Sequence, residues 1–145
     1  MTLQDLTHSL AKELRAVLRN YKCIAEGQAD KRVTVYEQYM PSDYFEEDSY
    51  YPCVIVSFSE MEDGEVDSVA TYIISVGVFG GYKDDGWRDL FNIAESIRQY
   101  LLKDSVICER YVVERPIAYE VLETQPEPFY WGRFGVEIRI PQIRY

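Results

Sequence analysis

Residues 53–79, CVIVSFSEMEDGEVDSVATYIISVGVF, decide the fold, because they join two strands through a short acidic turn. The first part, Cys53–Ser59, is a nearly continuous apolar run, which is typical of a central strand. The last part, Val69–Phe79, is longer and rich in β-branched residues. Asp63 and Gly64 between them form a hairpin-type turn pair. The stretch therefore predicts an antiparallel hairpin.

Two amphipathic helices flank this hairpin. Leucine and valine residues recur at steps of three and four from Leu3 to Leu18, which gives one apolar stripe. We expect this helix to start at a Thr2 cap and to end near Asn20–Tyr21. A second stripe runs from Trp87 to Leu101, with Asp84 or Asp85 as the expected N-cap.

The rest of the chain contains further predicted strands and two stretches with less regular patterns. The stretch 106–115, VICERYVVER, fits either a short strand or a loop, and the Tyr-rich, acidic stretch Asp43–Pro52 fits a loop. The other predicted strands are Arg32–Tyr39, Ile117–Thr124 and Trp131–Ile140, the last ended by Pro141. An antiparallel sheet with both helices on one face would bury every apolar stripe at once. The sequence therefore predicts an α+β two-layer sandwich, and its length favours a single domain spanning residues 1–145.

Charge and hydropathy limit the partners. The net charge is −10, and the 15 basic residues are scattered with no run of three. Nucleic-acid-binding and anionic-membrane-binding surfaces need clustered Lys and Arg, so we expect neither sequence-specific nucleic-acid binding nor membrane binding. The chain opens without a basic and then apolar leader, and no apolar run reaches the roughly 20 residues of a membrane span. We expect a cytoplasmic protein.

The residue inventory offers little for catalysis. The single histidine, His8, lies beside a leucine stripe, which argues against Ser-His-Asp and Cys-His arrangements. Cys23, Cys53 and Cys108 are odd in number and far apart, so we expect reduced, buried thiols without a zinc site. The glycine-rich residues 77–83 lack a phosphate-binding pattern and fit a strand exit. We therefore predict no enzyme, no catalytic residue, no cofactor and no metal.

Acidic side chains crowd two stretches. Between the hairpin strands the sequence has Glu60, Glu62, Asp63, Glu65 and Asp67, and the stretch Asp43–Asp48 carries four more acids. The spacing does not match the calcium-loop pattern. The hairpin acids can be a solvated tip, a metal site, or a contact with a basic partner; as a protein interface we name Glu60, Glu62, Asp63 and Glu65.

Three aromatic residues stand in a row near the end of the chain. The stretch PFYWGRFGVEIRI, residues 128–140, opens with Phe129, Tyr130 and Trp131. Successive side chains of a strand point to opposite faces, so we expect at least one of these rings to face solvent or a partner. The alternative is that Trp131 packs under the helices and Phe129 fills the sheet edge. The 13 tyrosines of the chain fit either a Tyr-rich sheet or an assembly surface.

In element order and local character the chain resembles the tail-terminator, or tail-completion, proteins of tailed bacteriophages and phage-tail-like particles. The resemblance covers an N-terminal amphipathic helix, the strand YPCVIVSFSE with its Pro-x-Val-x-Val character, and the acidic hairpin. It continues through the helix DDGWRDLFNIAESIRQYL and the closing aromatic strand FYWGRFGVEIRI. The Tyr-rich insertion Asp43–Pro52 and the extension PQIRY depart from the family layout.

The resemblance implies a non-enzymatic structural protein without a cofactor. Such a protein forms a homo-oligomeric ring, typically a hexamer, that caps the tail tube and offers a surface to the head or neck connector. It is cytoplasmic during assembly and then part of the virion. A ring needs two different complementary patches on each subunit, and aromatic residues dominate the centres of such contacts. We therefore assign Phe129, Tyr130 or Trp131, together with Tyr50 or Tyr51, to a subunit boundary.

Three other classes stay open. A different phage neck or head-completion protein would share the acidic, ring-forming character. A small protein-binding module unrelated to phages would instead be a monomer with an exposed aromatic groove. An enzyme of unknown type is the fourth class. The acidic stretches of a ring can also face its channel, where negative charge would let DNA pass without sticking.

Overall fold

The computed structural model describes residues 3–25, 27–41, 50–80, 85–103, 106–107, 111–122 and 128–142. It contains two helices and six strands. In chain order these are α1 (Leu3–Leu18), β1 (Thr34–Glu37), β2 (Cys53–Asp63), β3 (Asp67–Phe79), α2 (Trp87–Lys103), β4 (Val106–Ile107), β5 (Tyr111–Val121) and β6 (Phe129–Pro141). Thr2, the stretch Asp43–Asp48, Asp84, Cys108 and Thr124 lie outside the described residues.

The strands form one six-stranded sheet in the order β1-β2-β3-β6-β5-β4. Every pair is antiparallel except β1 with β2, which is parallel. The predicted hairpin of β2 and β3 is confirmed, and β3 also pairs with β6 along its full length. The α+β class is confirmed, with a mostly antiparallel sheet built around the two stretches that the sequence singled out.

The main core joins the helices to one set of alternating strand residues. Leu6, Leu10 and Leu14 of α1 and Ile93 and Ile97 of α2 are fully buried. They share one apolar cluster with strand residues such as Tyr72, Ile74, Phe134 and Val136. Burying each of these side chains contributes about 1.5–3 kcal/mol. The 3.6-residue stripe of each helix and the two-residue alternation of the strands therefore meet in one cluster.

A second, smaller cluster collects the other set of strand residues. It consists of Met40, Tyr51, Cys53, Ile55 and Phe129, with Tyr36, Tyr50, Phe79 and Trp131 packed against it. Cys53 and Ile55 belong to this cluster, whereas Val54 and Val56 belong to the main core. Because successive strand residues point to opposite faces, both faces of β2 are apolar here. This explains the continuous apolar run that opens the hairpin.

The hairpin turn is shorter than the sequence suggests. We predicted that Glu60, Glu62 and Asp63 lie in a loop, but β2 continues through Asp63 and only residues 64–66 connect the strands. The register shifts between Phe58 and Glu60, which is a β-bulge. The strand continues because each of its last residues gains a ladder partner on β3.

Strand β5 unites two stretches that the sequence separated. We predicted a strand that starts at Ile117, but β5 begins at Tyr111 and runs through Pro116. The register with β6 shifts between Glu114 and Ala118, so a bulge surrounds the proline. A proline has no N–H for a ladder and is accommodated at bulges and edges. Pro116 does interrupt the pairing with β6, but the chain accommodates it as a bulge within one strand.

Strand β1 ends earlier than its alternation predicts, because Gln38 leaves the strand conformation with a φ of 68°. The Gln38 side chain makes the hydrogen bonds to β2 that a longer β1 would otherwise make. The amide nitrogen of Gln38 donates to the Phe58 carbonyl at 3.1 Å, and the Phe58 N–H donates to the Gln38 Oε1 atom at 2.8 Å. One side chain therefore pairs the backbone carbonyl and N–H of Phe58 on the outer side of β2, next to the bulge.

Helix α2 begins at Trp87, and Asp85 is not its N-cap. The first helical hydrogen bond runs from the Leu90 N–H to the Gly86 carbonyl at 3.1 Å, which places Gly86 at the cap position. A Cβ atom on Gly86 would lie 2.4 Å from the carbonyl oxygen of Phe79. Only glycine permits this close approach between the helix start and the end of β3.

Candidate functional site

The aromatic residues that the sequence singled out form the centre of the second cluster. Tyr51 stacks on Phe129 with ring centroids 4.5 Å apart, and Trp131 meets Tyr51 edge-on at 5.7 Å. Phe79 also contacts Phe129 at 5.7 Å. Such pairs add roughly 0.5–1.5 kcal/mol each beyond the burial of their area. We call the residues of this second cluster, with Tyr36, Tyr50, Phe79 and Trp131, the aromatic cluster.

The three consecutive rings alternate between the two faces of the sheet, as the strand geometry predicts. Phe129 and Trp131 lie in the aromatic cluster, and Tyr130 packs against the main core. The alternative that Trp131 lies under the helices is therefore wrong. Its indole lies over Gly77, where a Cβ atom would be only 2.7 Å from the ring. Gly77 is thus the position that lets Trp131 lie flat on the sheet.

Exposure decides which of these rings can meet a partner. Tyr51 and Phe129 are only 2% and 9% exposed, so they stabilise the chain itself. Tyr50 and Trp131 of the aromatic cluster are half-buried, and so is Tyr130, which packs against the main core. A partner contact at the aromatic cluster would therefore use Tyr50 and Trp131 and leave the stacked pair in place.

Sequence reasoning missed Tyr39, which is 78% exposed beside the aromatic cluster. It lines a groove of about 590 Å³ together with Met40, Ile55 and Ser75. The signal was present in the alternation of residues 32–39, which we assigned wholly to a strand. The chain turns at Gln38 instead, so Tyr39 leaves the sheet and projects into solvent.

The acidic hairpin is ordered by its own short hydrogen bonds. The Gly64 N–H donates to the Asp67 carbonyl at 2.9 Å, and the Ser68 hydroxyl donates to the Asp63 carboxylate at 2.6 Å. Gln142 donates its amide to the Gly64 carbonyl at 2.7 Å. Glu62, Asp63 and Glu65 stay exposed, and so does Val66, at 69%. The described residues contain no group of three or more acidic, His or Cys side chains placed to hold a metal ion.

Asp89 is a buried carboxylate that the sequence reasoning did not single out. It is 1% exposed and accepts hydrogen bonds from the Tyr21 hydroxyl at 2.5 Å, the Ile24 N–H at 2.9 Å and the Ala25 N–H at 3.0 Å. It lies in the first turn of α2, where a negative charge is favoured by the helix dipole. Asp89 therefore fastens the segment after α1 to the start of α2.

An apolar groove between α2 and β5 was also not foreseen. Two adjoining cavities of about 360 and 390 Å³ share Arg98, Tyr119 and Phe134 in their walls. Phe91 and Val121 line the first cavity and are 50% and 41% exposed. We call this surface the α2–β5 groove. Phe91 also meets Trp87 edge-on at 5.4 Å, which extends the exposed aromatic surface along the helix.

Burial makes the two described thiols unreactive, because it disfavours the thiolate form. Desolvation raises the pKa of the Cys53 thiol from 9.0 to about 12, and burial with the nearby Asp89 charge raises that of Cys23 to about 12. The prediction of buried thiols is confirmed for these two residues. His8 is exposed and pairs with Glu37 at 2.9 Å.

We expect the protein to lose stability as the pH rises from 9 to 12. In the native state both thiols have a pKa of about 12, whereas the unfolded chain loses these protons near pH 9, so between these values the native state holds more protons. Urea unfolding at pH 8 and pH 10.5 should show a lower free energy of unfolding at pH 10.5. A Cys53→Ala variant should lose less between the same two pH values, and a wild-type stability that does not fall would contradict the expectation.

No protein family model matches the chain, and no curated protein matches it significantly in sequence. Within the described residues, neither helix has the length and apolar character that crossing a bilayer requires. The site is therefore defined by geometry. It consists of the partly exposed aromatic cluster, the α2–β5 groove and the acidic hairpin.

Proposed function

We propose that the chain is a structural protein of a tailed bacteriophage or a phage-tail-like particle, which caps the tail tube as a ring and joins it to the head or neck. The supporting observation is that incompletely buried apolar side chains occur at two dissimilar places, the half-buried residues of the aromatic cluster and the α2–β5 groove. A closed ring is built from head-to-tail contacts between two different patches. A monomeric function would not require both.

The proposal includes the layer arrangement that the resemblance implies. Both helices would pack on one face of the sheet, as a two-layer sandwich, because their stripes share a cluster with alternate strand residues such as Val54, Ile74 and Val136. The aromatic cluster then occupies the opposite face. In this arrangement the two apolar surfaces point in different directions, which suits neighbours on two sides of a subunit.

The ring would be a homo-oligomer, with a hexamer as the family expectation, and its partners would be the tail-tube protein and the head or neck connector. It would assemble in the cytoplasm and remain in the virion. The exposed acids of the hairpin, which includes Glu60, Glu62, Asp63 and Glu65, would serve as an electrostatic contact or face the channel. Charge reversal at Glu62 and Glu65 without effect on DNA passage would remove the channel role.

The direct experiment measures assembly and capping by the purified protein. Analytical ultracentrifugation and negative-stain images should show closed rings, and adding them to a growing tail-tube polymer should stop elongation. A protein that stays monomeric at millimolar concentration would overturn the proposal. Rings that bind the portal side but not the tube end would instead identify a neck or head-completion protein.

A Trp131→Ala variant tests the role of the aromatic cluster in assembly. Its half-buried indole covers Gly77 and contacts Tyr51, so its loss should lower the free energy of unfolding by about 2–3 kcal/mol. Because the main core is untouched, we expect a folded chain that elutes as a smaller species on size exclusion. A variant that assembles as the wild type would exclude Trp131 from the subunit boundary.

The α2–β5 groove favours one second candidate, a small module that binds another protein. Its exposed Phe91 and its concave shape fit an apolar segment of a partner. A monomer at all concentrations that captures one partner through this groove would support that class. A ring that caps tubes would exclude it.

A further inference from the structure

The α2–β5 groove has a simple geometric origin. The sheet has six strands, and five spacings of about 4.8 Å make it about 24 Å wide. Two helices of about 10 Å each cover about 20 Å. The core stripe of α2 packs on β3 and β6, so β5 extends beyond the cover. The apolar side of β5 therefore forms the floor of a groove along the outer flank of α2.

The floor of the groove is apolar and well supported. Tyr119 and Phe134 lie with ring centroids 4.5 Å apart. A Cβ atom on Gly132 would lie 2.3 Å from the Tyr119 hydroxyl, so this glycine lets the Tyr119 ring lie against β6. The Tyr119 hydroxyl is buried and has no hydrogen-bond partner among the described residues. The floor thus offers apolar area.

The rim of the groove is basic in a chain that is otherwise strongly acidic. Arg98 borders both cavities, and Arg115 borders the second. Arg115 donates to the Leu102 carbonyl at 2.9 Å, and within the described residues no carboxylate pairs with it. Among the described residues that line the groove, the one acid is Glu95, which is already held by Arg98 at 3.0 Å and Gln99 at 3.1 Å. An acidic segment would find complementary charge here.

The same chain carries a convex acidic segment with an apolar tip. From Glu60 to Asp67 there are five acids and no base, and Val66 is 69% exposed at the turn. The turn adjoins Ser68, which pairs with Ile140. The groove floor at Phe134 is six residues further along β6, or about 20 Å away. The hairpin therefore cannot reach the groove of its own chain.

We propose that the α2–β5 groove of one copy receives the β2–β3 hairpin tip, residues 63–67, of a second copy. Val66 enters the apolar floor between Phe91 and Tyr119, and Glu65 lies against the guanidinium groups of Arg98 and Arg115. The contact joins two different patches, so each copy offers one hairpin and one groove. This inference rests on the self-assembly part of the proposed function and names the joint that links its subunits.

Two defective variants test the joint when they are mixed. The double variant Val66→Ser, Glu65→Lys disables the contact surface of the hairpin, and the variant Phe91→Glu disables that of the groove. All three positions are exposed, so both proteins should keep the wild-type circular dichroism spectrum. Each variant alone should be monomeric in sedimentation velocity. An equimolar mixture has one intact hairpin and one intact groove, so it should form a heterodimer and nothing larger.

A charge swap provides the second measurement. Arg115→Glu should weaken assembly at least tenfold, and adding Glu65→Lys to the same chain should restore it, because every joint then regains an opposite pair. Assembly of the wild type should weaken as the salt concentration rises. Ile24→Ser, at a 57% exposed apolar position outside the groove, is the matched control and should assemble normally.

The outcomes separate this joint from the ring itself. If both defective variants still form rings like those of the wild type, or if their mixture stays monomeric, the hairpin–groove joint is overturned and the capping function is left in place. A wild-type protein that never assembles would overturn both. Capture of a different protein by the groove, with self-assembly unaffected in both variants, would also overturn the joint and support the binding-module class.

Discussion

Replacing Asp89 with alanine should destabilise the protein by about 3–5 kcal/mol. The substitution removes the acceptor of the Tyr21 hydroxyl and of the Ile24 and Ala25 N–H groups. Each buried donor left without an acceptor costs about 1–3 kcal/mol. Since a domain of this size is stable by only about 5–15 kcal/mol, urea unfolding should show a large shift of the midpoint.

Two further variants make this expectation specific. Asp89→Asn keeps one acceptor oxygen but offers an NH₂ group where the second oxygen stood, so its loss of stability should lie between wild type and alanine. Glu95→Ala removes an exposed acid from the same helix and should change stability by less than about 0.5 kcal/mol. Equal losses for Asp89→Ala and Glu95→Ala would contradict the role of Asp89 as a buried fastening point.

The second large effect is expected from Tyr51→Ala, with a loss of about 3–5 kcal/mol. Tyr51 is 2% exposed, stacks on Phe129 and meets Trp131 edge-on, so its removal leaves a cavity in the middle of the aromatic cluster. The main core lies on the opposite face of the sheet. The variant should therefore keep its far-ultraviolet spectrum at low temperature and unfold at lower urea concentration.

Tyr51→Phe separates the ring from its hydroxyl. It keeps both ring contacts and removes only the hydrogen bond that links the hydroxyl to Trp131, so the cost should be about 1 kcal/mol. If the half-buried side chains of the cluster mediate assembly, Tyr51→Phe should still assemble. A phenylalanine variant as unstable as the alanine variant would show that the hydroxyl, and not the stacked ring, holds the cluster together.

Local patterns in the sequence predicted the features that depend on local chemistry. The β2–β3 hairpin follows from two apolar runs and a turn pair, and both helices follow from their 3.6-residue stripes. The opposite directions of Phe129 and Tyr130 follow from strand geometry alone. The ends of the elements were less predictable, since the bulge at Pro116 and the side-chain bridge of Gln38 depend on neighbouring strands.

Features that depend on distant contacts could not be predicted. Asp89 is one of several acids near the start of α2, and its donors lie 64 to 68 positions earlier in the chain. The parallel pairing of β1 with β2 and the position of β6 beside β3 are likewise set by packing across the sheet. The α2–β5 groove is lined by side chains of α2, β5 and β6, which come together only in the folded sheet, so no single segment encodes it.

The bulge around Pro116 also limits how the protein can stack. Pro116 lies in β5, whose outer neighbour in the described part of the chain is the two-residue β4, which pairs only with Tyr111 and Val112. A foreign strand laid along this side of β5 would meet a missing donor at Pro116 and a broken register beside it. Copies can meet there through side chains, but fibril growth by backbone pairing is blocked at that position.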